Sequence, residues 1–137
     1  MIVGMVGSRE YMNYIKIKEF LFKLKQEYKD DLVIVSGGCK KGADYLVKKI
    51  TKWKLGIKYV EFPPFHEQWT MDCKDNGVPK YMYGKPYKTK YFFSRNIQIA
   101  KYCDILVAFI PNEVKANGTK HTIKEMEKLN KPVMIVN

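Results

Sequence analysis

The sequence predicts a doubly wound α/β fold, in which helices cover both faces of a parallel sheet of strand order 3-2-1-4-5. Two observations predict it. Short runs of β-branched residues alternate along the chain with segments whose apolar residues recur every three or four positions, as is typical of parallel sheets. The length of 137 residues and the 46% apolar content suit one domain over residues 1–137.

The alternation defines five strands and four helices. Strands are expected at residues 2–6, 32–35, 57–62, 105–110 and 132–136. Helices are expected at residues 12–28, from 42 to about 54, 94–102, and from 118 onward. Ser94 is a candidate N-cap of the third helix. Apolar residues at helical spacing are expected to face inward in the first and fourth helices: Ile17, Phe20, Leu21, Leu24, Tyr28, Ile123, Met126 and Leu129.

A glycine turn, Gly37–Gly38, lies between the second strand and the second helix. Two adjacent glycines permit a sharp turn and let a ligand approach backbone N–H groups. The positive end of the following helix and the charges of Lys40 and Lys41 favour an anion there, most often a phosphate. The alternative is that the glycines serve packing alone.

The same turn lacks two familiar nucleotide motifs. Gly37 and Gly42 have Walker-type spacing, but Ala43 and Asp44 stand where that motif has Lys and Ser or Thr, which argues against triphosphate hydrolysis by that route. No Gly-x-Gly-x-x-Gly occurs either, so the usual dinucleotide fingerprint is missing.

The net charge of +11 raises the question of a nucleic-acid partner. Only two of the 25 basic residues, Arg9 and Arg95, are arginine, and the lysines are scattered as on a solvated surface. Arginine holds phosphate through two parallel hydrogen bonds. Since both arginines fall at predicted strand-to-helix junctions, a small phosphorylated ligand is favoured over nucleic acid, which stays an alternative.

The cysteine pattern and the hydropathy define the expected compartment. Three cysteines, far apart and odd in number, suit a reducing cytoplasm and give no zinc pattern. No apolar run approaches the ~18 residues of a membrane span, and the N-terminal residues lack the pattern of a signal peptide. We expect a cytoplasmic protein with no membrane partner, no metal and no cofactor.

The loops that follow the strands are expected to form the ligand site. In doubly wound sheets ligands bind at the carboxyl ends of the strands, where the winding reverses, here between strands one and four. The loops at this edge, residues 7–11, 36–42, 62–94 and 110–118, bring together Arg9, the Gly37–Gly38 turn, Arg95 and Gly118–Thr119.

The long segment at about 63–93 is expected to be an inserted aromatic loop. It interleaves aromatic residues with lysines, and a structureless connection of this length is uncommon unless it is a lid, an interface or an insertion. Its rings either stack on a nucleobase or form a subunit contact or a cover for the sheet edge. The rings and their neighbours are Pro63, Pro64, Phe65, His66, Trp69, Tyr81, Tyr83, Tyr87, Tyr91, Phe92 and Phe93.

Five short motifs resemble the SLOG superfamily, and they occur in the order found there. They are Gly7-Ser8-Arg9, Ser36-Gly37-Gly38 through Gly42-Ala43-Asp44, Arg95-Asn96, Cys103–Phe109 and Gly118-Thr119-Lys120-His121. The chain is similar to the small stand-alone YspA-like members of a superfamily that also holds the DprA recombination mediators and the Lonely-guy phosphoribohydrolases. The resemblance extends over nearly the whole chain except residues 70–90. It implies a Rossmann-like fold, a nucleotide-type ligand and a homo-oligomer.

The resemblance implies that the ligand lies over the glycine turn, with its phosphate or ribose near the Gly118–Thr119 helix start. The candidate ligand-binding residues are Gly7, Ser8, Arg9, Ser36, Gly37, Gly38, Lys41, Asp44, Arg95, Asn96, Gly118, Thr119 and His121. Asp44 is expected to cap or orient the glycine turn rather than to perform chemistry.

One departure from the phosphoribohydrolases bears on catalysis. Their Pro-Gly-Gly-x-Gly-Thr-x-x-Glu loop carries a catalytic glutamate, and Thr122 stands at that place in this chain. Glu125 lies one helical turn further on. Glu125 and His121 are the candidate catalytic residues, although neither stands at the motif position of the glutamate. General acid–base catalysis typically contributes ~10²–10⁴-fold and needs the group within hydrogen-bond reach. The missing carboxylate therefore argues against efficient N-glycosidic hydrolysis.

Three functions are compatible with these features. The favoured one is a sensor or sequestering module for a nucleotide derivative, such as an ADP-ribose-type or cyclic signalling molecule. The alternatives are a nucleoside-monophosphate phosphoribohydrolase-like N-glycosidase and a DprA-like single-stranded DNA binder.

Overall fold

The computed structural model, which describes residues 1–112 and 114–137, contains a five-stranded parallel sheet of order β3-β2-β1-β4-β5. The strands are β1 (Ile2–Gly7), β2 (Val33–Ser36), β3 (Lys58–Glu61), β4 (Ile105–Phe109) and β5 (Val133–Val136). The predicted order is confirmed. Strands β1 and β4, between which the winding reverses, are paired from Val3 with Ile105 to Gly7 with Phe109.

Four helices connect the strands. They are α1 (Tyr14–Tyr28), α2 (Gly42–Lys48), which continues as a π-helix over Lys49–Lys54, α3 (Lys90–Tyr102) and α4 (Asn117–Lys128). One core packs α1 and α2 on one sheet face, and a second packs α3 and α4 on the other. The alternation of inward residues explains both cores, because successive side chains of a strand point to opposite faces.

The helix faces agree with the apolar spacing at all but one position. Ile17, Leu21 and Leu24 are buried on α1, and Met126 is buried on α4. Leu129 was expected to face inward but is exposed, because α4 ends at Lys128 and Leu129 lies in the C-cap position. None of the described helices has the length and apolar character that crossing a membrane needs.

The start of α3 differs from the prediction. The helix begins at Lys90 rather than at Ser94, so the inserted segment ends about four residues earlier than expected. Ser94 is not an N-cap, because its hydroxyl lies inside the helix and donates to the carbonyl oxygen of Lys90 at 3.2 Å. A serine that bonds back to the residue four positions earlier is compatible with a helix interior, so its capping preference does not decide the boundary.

The inserted segment is ordered by its own turns and by polar contacts with the sheet. It contains two 3-10 turns, Met71–Cys73 and Lys80–Met82. The buried Asn76 donates to the carbonyl oxygen of Glu61 at 3.2 Å and to the Tyr83 hydroxyl at 3.1 Å, and it accepts from the Val78 N–H at 2.8 Å. The segment is thereby attached to the end of β3, beside the glycine turn.

Candidate functional site

The carboxyl edge of the sheet brings together the loops that were expected to form the site. Gly7 ends β1 and Ser36 ends β2, and the glycine turn then leads into α2. The first turns of α3 and α4 lie at the same edge, since each helix follows the loop from a strand's carboxyl end. Within the loop before α4, Glu113 lies outside the described residues.

Gly7 and Gly42 allow the first two loops to pack directly on each other. A side chain at Gly42 would overlap the backbone of Ser8 and Arg9, and one at Gly7 would meet the Phe109 carbonyl. The Ala43 N–H donates to the Ser8 carbonyl at 3.1 Å. Gly7 and Gly42 therefore serve close packing, and that packing holds the Arg9 backbone beside the turn.

Arg95 is bound to the glycine turn. Its Nη1 donates to the Gly37 carbonyl at 2.9 Å, and a side chain at Gly37 would overlap this guanidinium. Burial lowers the pKa of Arg95, the nearby Asp44 carboxylate opposes that shift, and the like charge of Arg9 adds to it. The two arginines are thus neighbours at one rim, with Arg9 exposed and Arg95 half-buried.

Asp44, in the first turn of α2, orients the backbone that follows the glycine turn. Its Oδ2 accepts from the Cys39 N–H at 3.3 Å. Burial raises the pKa of Asp44 to about 6, although Arg95 acts to lower it. The Oδ1 atom of Asp44 and the hydroxyl of Ser36 are buried without a hydrogen-bond partner among the described residues. This placement agrees with a capping and orienting role, as the sequence predicts.

Glu61, which sequence reasoning missed, supports the turn from β3. Its carboxylate accepts from Lys48 at 3.0 Å, from the Tyr59 hydroxyl at 3.0 Å and from the Thr70 hydroxyl at 3.2 Å. A side chain at Gly38, where φ is +74°, would come within 2.5 Å of the Glu61 carboxyl carbon. The signal in the sequence was a lone acid at a strand end, which does not reveal these long-range partners.

Asn96 links Arg95 to the start of α4. Its Oδ1 accepts from Arg95 Nε at 3.0 Å, and its Nδ2 donates to the Gly118 carbonyl at 3.3 Å. Because Oδ1 faces an arginine donor, the amide orientation is fixed, and Nδ2 faces His121 Nδ1 at 3.2 Å as the donor. His121 Nδ1 therefore acts as the acceptor, which leaves the ring proton of neutral His121 on Nε2.

His121 and Glu125 form a pair on α4, with 3.4 Å between His121 Nε2 and Glu125 Oε1. The same carboxylate oxygen lies 3.0 Å from Lys128 Nζ. Thr122 is buried, and its hydroxyl donates to the Gly118 carbonyl at 3.2 Å. The position of the phosphoribohydrolase glutamate is therefore occupied by a hydroxyl that bonds back to the helix backbone, and the carboxylate of this region belongs to Glu125.

The remaining predicted residues differ in their surroundings. Lys41 is exposed at the N-cap position of α2, Gly118 is exposed in the first turn of α4, and Thr119 is buried beside it. In residues 1–112 and 114–137, no group of three or more His, Cys, Asp or Glu side chains could hold a metal ion.

Most rings of the inserted segment pack on one another rather than on the site. His66 lies 4.8 Å from Tyr87 and 5.0 Å from Phe92, and Phe65 lies 5.4 Å from Tyr83, measured between ring centroids. Phe92 connects this cluster to the site, since Arg95 Cζ is 5.9 Å from its ring centroid. Phe93 is turned toward α4 instead, with its ring centroid 4.8 Å from His121.

An apolar groove of about 340 Å³ lies away from these residues, between α1 and the strands β4 and β5. Its walls include Phe20, Leu24, Tyr28, Val107 and Met134. Neither arginine lines it, so its chemistry does not match the phosphate site that the sequence predicts.

No protein-family model matches the chain, and no curated protein matches it. Three solved structures are similar in fold. DNA processing protein A (DprA) from Streptococcus pneumoniae matches with a TM-score of 0.70 and 22% identity, over 99% of this chain and 50% of that one. The molybdenum cofactor binding protein from Rippkaea orientalis matches with a TM-score of 0.65 and 18% identity, over 98% and 74%.

The molybdenum cofactor carrier protein from Chlamydomonas reinhardtii matches with a TM-score of 0.63 and 19% identity, also over 98% of this chain and 74% of that one. The chain thus spans half of the DprA chain and about three quarters of the two molybdenum cofactor proteins. At these identities the likeness establishes the architecture. The chain has the Rossmann-like, doubly wound α/β fold that its sequence predicts.

Proposed function

We propose that the protein binds a nucleotide-derived ligand at the carboxyl edge of the sheet and acts as a sensor or sequestering module in the cytoplasm. The ligand class is an ADP-ribose-type molecule, a cyclic signalling nucleotide or a nucleoside phosphate. Its phosphate lies between Arg9 and Arg95, over the Gly37–Gly38 turn and near the start of α4. The three unpaired cysteines support the cytoplasmic assignment.

The observation that carries the proposal is the position of the two arginines. They are the only arginines among 25 basic residues and stand 86 positions apart (95 − 9), Arg9 in the loop after β1 and Arg95 in α3. Both border the loop between β2 and α2, since Gly42 packs on the Arg9 backbone and the Gly37 carbonyl accepts from Arg95. Keeping two guanidinium groups together costs electrostatic energy, which an anionic ligand between them would offset. Arg95 is also held in place by Gly37 and Asn96 before any ligand arrives, and such preorganisation lowers the entropic cost of binding.

Isothermal titration calorimetry with AMP, ADP-ribose and 3′,5′-cyclic AMP tests the proposal. We expect at least one of them to bind, and Arg9→Gln to weaken that binding about 10-fold or more, because a charge-assisted hydrogen bond contributes roughly 1.5–3 kcal/mol. Arg9 is exposed, so this variant should fold normally.

Lys18→Gln is the matched control, since it removes one positive charge from an exposed position on α1. We expect it to leave the affinity unchanged. If the wild-type protein binds none of the three compounds, or if both variants weaken binding equally, a specific anion site at this edge is contradicted.

A second candidate function, N-glycosidic cleavage of a nucleoside monophosphate, is favoured by the His121–Glu125 pair. Glu125 is the carboxylate nearest to the motif position that Thr122 occupies, and Asn96 holds the neighbouring His121 ring. Chromatography of AMP incubated with the protein would detect released adenine, and Glu125→Gln should abolish that release. Intact AMP after long incubation at high protein concentration would exclude this activity and leave the binding function.

A third candidate, single-stranded DNA binding, is favoured by the net charge of +11 and by the likeness to DprA. Since phosphate contacts release counterions, binding would weaken steeply as salt rises. Fluorescence anisotropy with a labelled oligothymidylate at several salt concentrations tests it, and weak or salt-insensitive binding would exclude it. We also expect a homo-oligomer, which light scattering after size-exclusion chromatography would detect.

A further inference from the structure

We propose that Phe93 recognises the base of the ligand, as a platform on which a planar ring stacks. This inference rests on the proposed function, because it assumes the anion site beside it. It adds a specific requirement, namely that the ligand carries an aromatic ring next to its phosphorylated sugar.

The position of Phe93 places a ring beside the anion site. Phe93 lies in the first turn of α3, two residues before Arg95 and three before Asn96. Its ring centroid is 4.8 Å from that of His121, and the two planes are nearly perpendicular, at 86°. His121 is bound to Asn96, which in turn is bound to Arg95 and to the Gly118 carbonyl. The Phe93 ring is thus connected through His121 to Asn96, and through Asn96 to Arg95 and the Gly118 carbonyl.

Phe93 is exposed and lies outside the neighbouring aromatic cluster; Tyr87 is also exposed, at 65%, but its ring packs on His66 and Phe92. Phe65, His66, Tyr83, Tyr91 and Phe92 are at least partly buried within one aromatic cluster. Phe93 is 47% exposed and, among the described residues, its ring pairs with His121 alone. Single exposed apolar side chains are ordinary on protein surfaces, so the informative point is that this one borders the candidate site.

The orientation of the contact leaves room for a stacked partner. In an edge-to-face pair only one ring presents a face to the other, so at least one face of Phe93 is not covered by His121. Stacking requires such a free face. The rings around His66 pack on one another. We therefore assign the stacking expected of the inserted segment's rings to Phe93 alone.

The expected effect is measurable. Removing an aromatic platform for one base costs ~1–3 kcal/mol, which corresponds to about 5- to 150-fold in Kd. The affinity for a ligand that has the sugar phosphate but no base should not change when the ring is removed. Comparing the two kinds of ligand therefore separates the contribution of the ring to affinity from that of the phosphate.

Calorimetry with AMP, GMP, CMP, UMP and ribose 5-phosphate provides the test, with three variants. Phe93→Ala should weaken nucleotide binding at least 5-fold and leave ribose 5-phosphate binding unchanged. Phe93→Trp keeps an aromatic face and should retain nucleotide affinity. Tyr81→Ala removes a ring that is 79% exposed in the Lys80–Met82 turn and should change neither affinity.

The outcomes distinguish this inference from the function on which it rests. If the wild-type protein binds ribose 5-phosphate as tightly as any of the four nucleotides, or if Phe93→Ala leaves nucleotide affinity intact, the role of Phe93 is refuted and the anion site stands. If Phe93→Ala weakens both ligands equally, the ring supports the site without reading a base, which also refutes it. Failure of the wild-type protein to bind any of the five compounds, ADP-ribose or 3′,5′-cyclic AMP refutes the proposed function itself.

Discussion

Two features require a glycine at position 38, namely its backbone conformation and the closeness of the Glu61 side chain. Its φ of +74° lies in the left-handed region, and a Cβ there would press on the Glu61 carboxyl group. Gly77 has a similar φ of +75°, yet a Cβ at that position would meet nothing within 4 Å. The two glycines therefore separate the cost of the backbone conformation from the cost of the collision.

We predict that Gly38→Ala destabilises the protein by about 3 kcal/mol or more, because backbone strain is joined by displacement of Glu61 from its hydrogen bonds. Gly77→Ala should cost only the strain, about 1 kcal/mol. Urea unfolding of both variants measures the difference. Equal losses of unfolding free energy would contradict this prediction, because they would mean that moving the Glu61 carboxyl group aside does not destabilise the protein.

Asp44 makes the stability depend on pH in a defined window. Burial raises its pKa in the folded protein to about 6, from the ordinary value of 3.8. Between these values the folded state holds a proton that the unfolded state has released, so this carboxyl group lowers the free energy of unfolding as pH rises from 4 to 6.

We predict that Asp44→Asn, which cannot titrate, becomes more stable relative to the wild type as pH rises from 4 to 6, by at most about 1.4 kcal/mol per pH unit. Thermal or urea unfolding at closely spaced pH values measures this difference. A constant difference over the whole window would show that Asp44 is already ionised in the folded protein at pH 4.

At the scale of elements, polar bonds attach the inserted segment to the sheet, in addition to the contacts among its own rings. Asn76 makes three hydrogen bonds that join the segment to β3 and close the turn to Tyr83. The apolar period predicts strands and helices but carries no information on such bonds, because they depend on where individual polar side chains point within an irregular segment. Nor did the apolar pattern indicate that α3 begins at Lys90, four residues before Ser94.

We predict that Asn76→Ala loosens the inserted segment by about 2–3 kcal/mol, because buried partners lose their hydrogen bonds. Hydrogen exchange measured by mass spectrometry should then speed up in residues 65–88 and stay unchanged in β1 and β4. Lys74→Ala, at an exposed position in the same segment, is the control. Faster exchange throughout the sheet would indicate that the segment and the sheet unfold as one unit.

At the scale of the whole molecule, the strand order and the meeting of the loops were predictable, because both depend on the alternation of elements and on the rule that loops after parallel strands share an edge. The sequence also indicated Arg9, Arg95 and Asn96, whose positions follow from that rule. It did not indicate Glu61 or the contact of Phe93 with His121, because these depend on side-chain directions across separate elements. That residues 1–137 act as one ligand-binding domain stays a prediction.

The most direct test of the central claim is a titration of ¹⁵N-labelled protein with AMP, followed by amide chemical shifts. A phosphate held at the carboxyl edge should cause the largest shifts in residues 7–11, 36–42, 93–96 and 117–121, with the Arg9 and Arg95 side-chain signals among them. Shifts confined to the groove between α1 and β5, or no shifts at millimolar AMP, would contradict it.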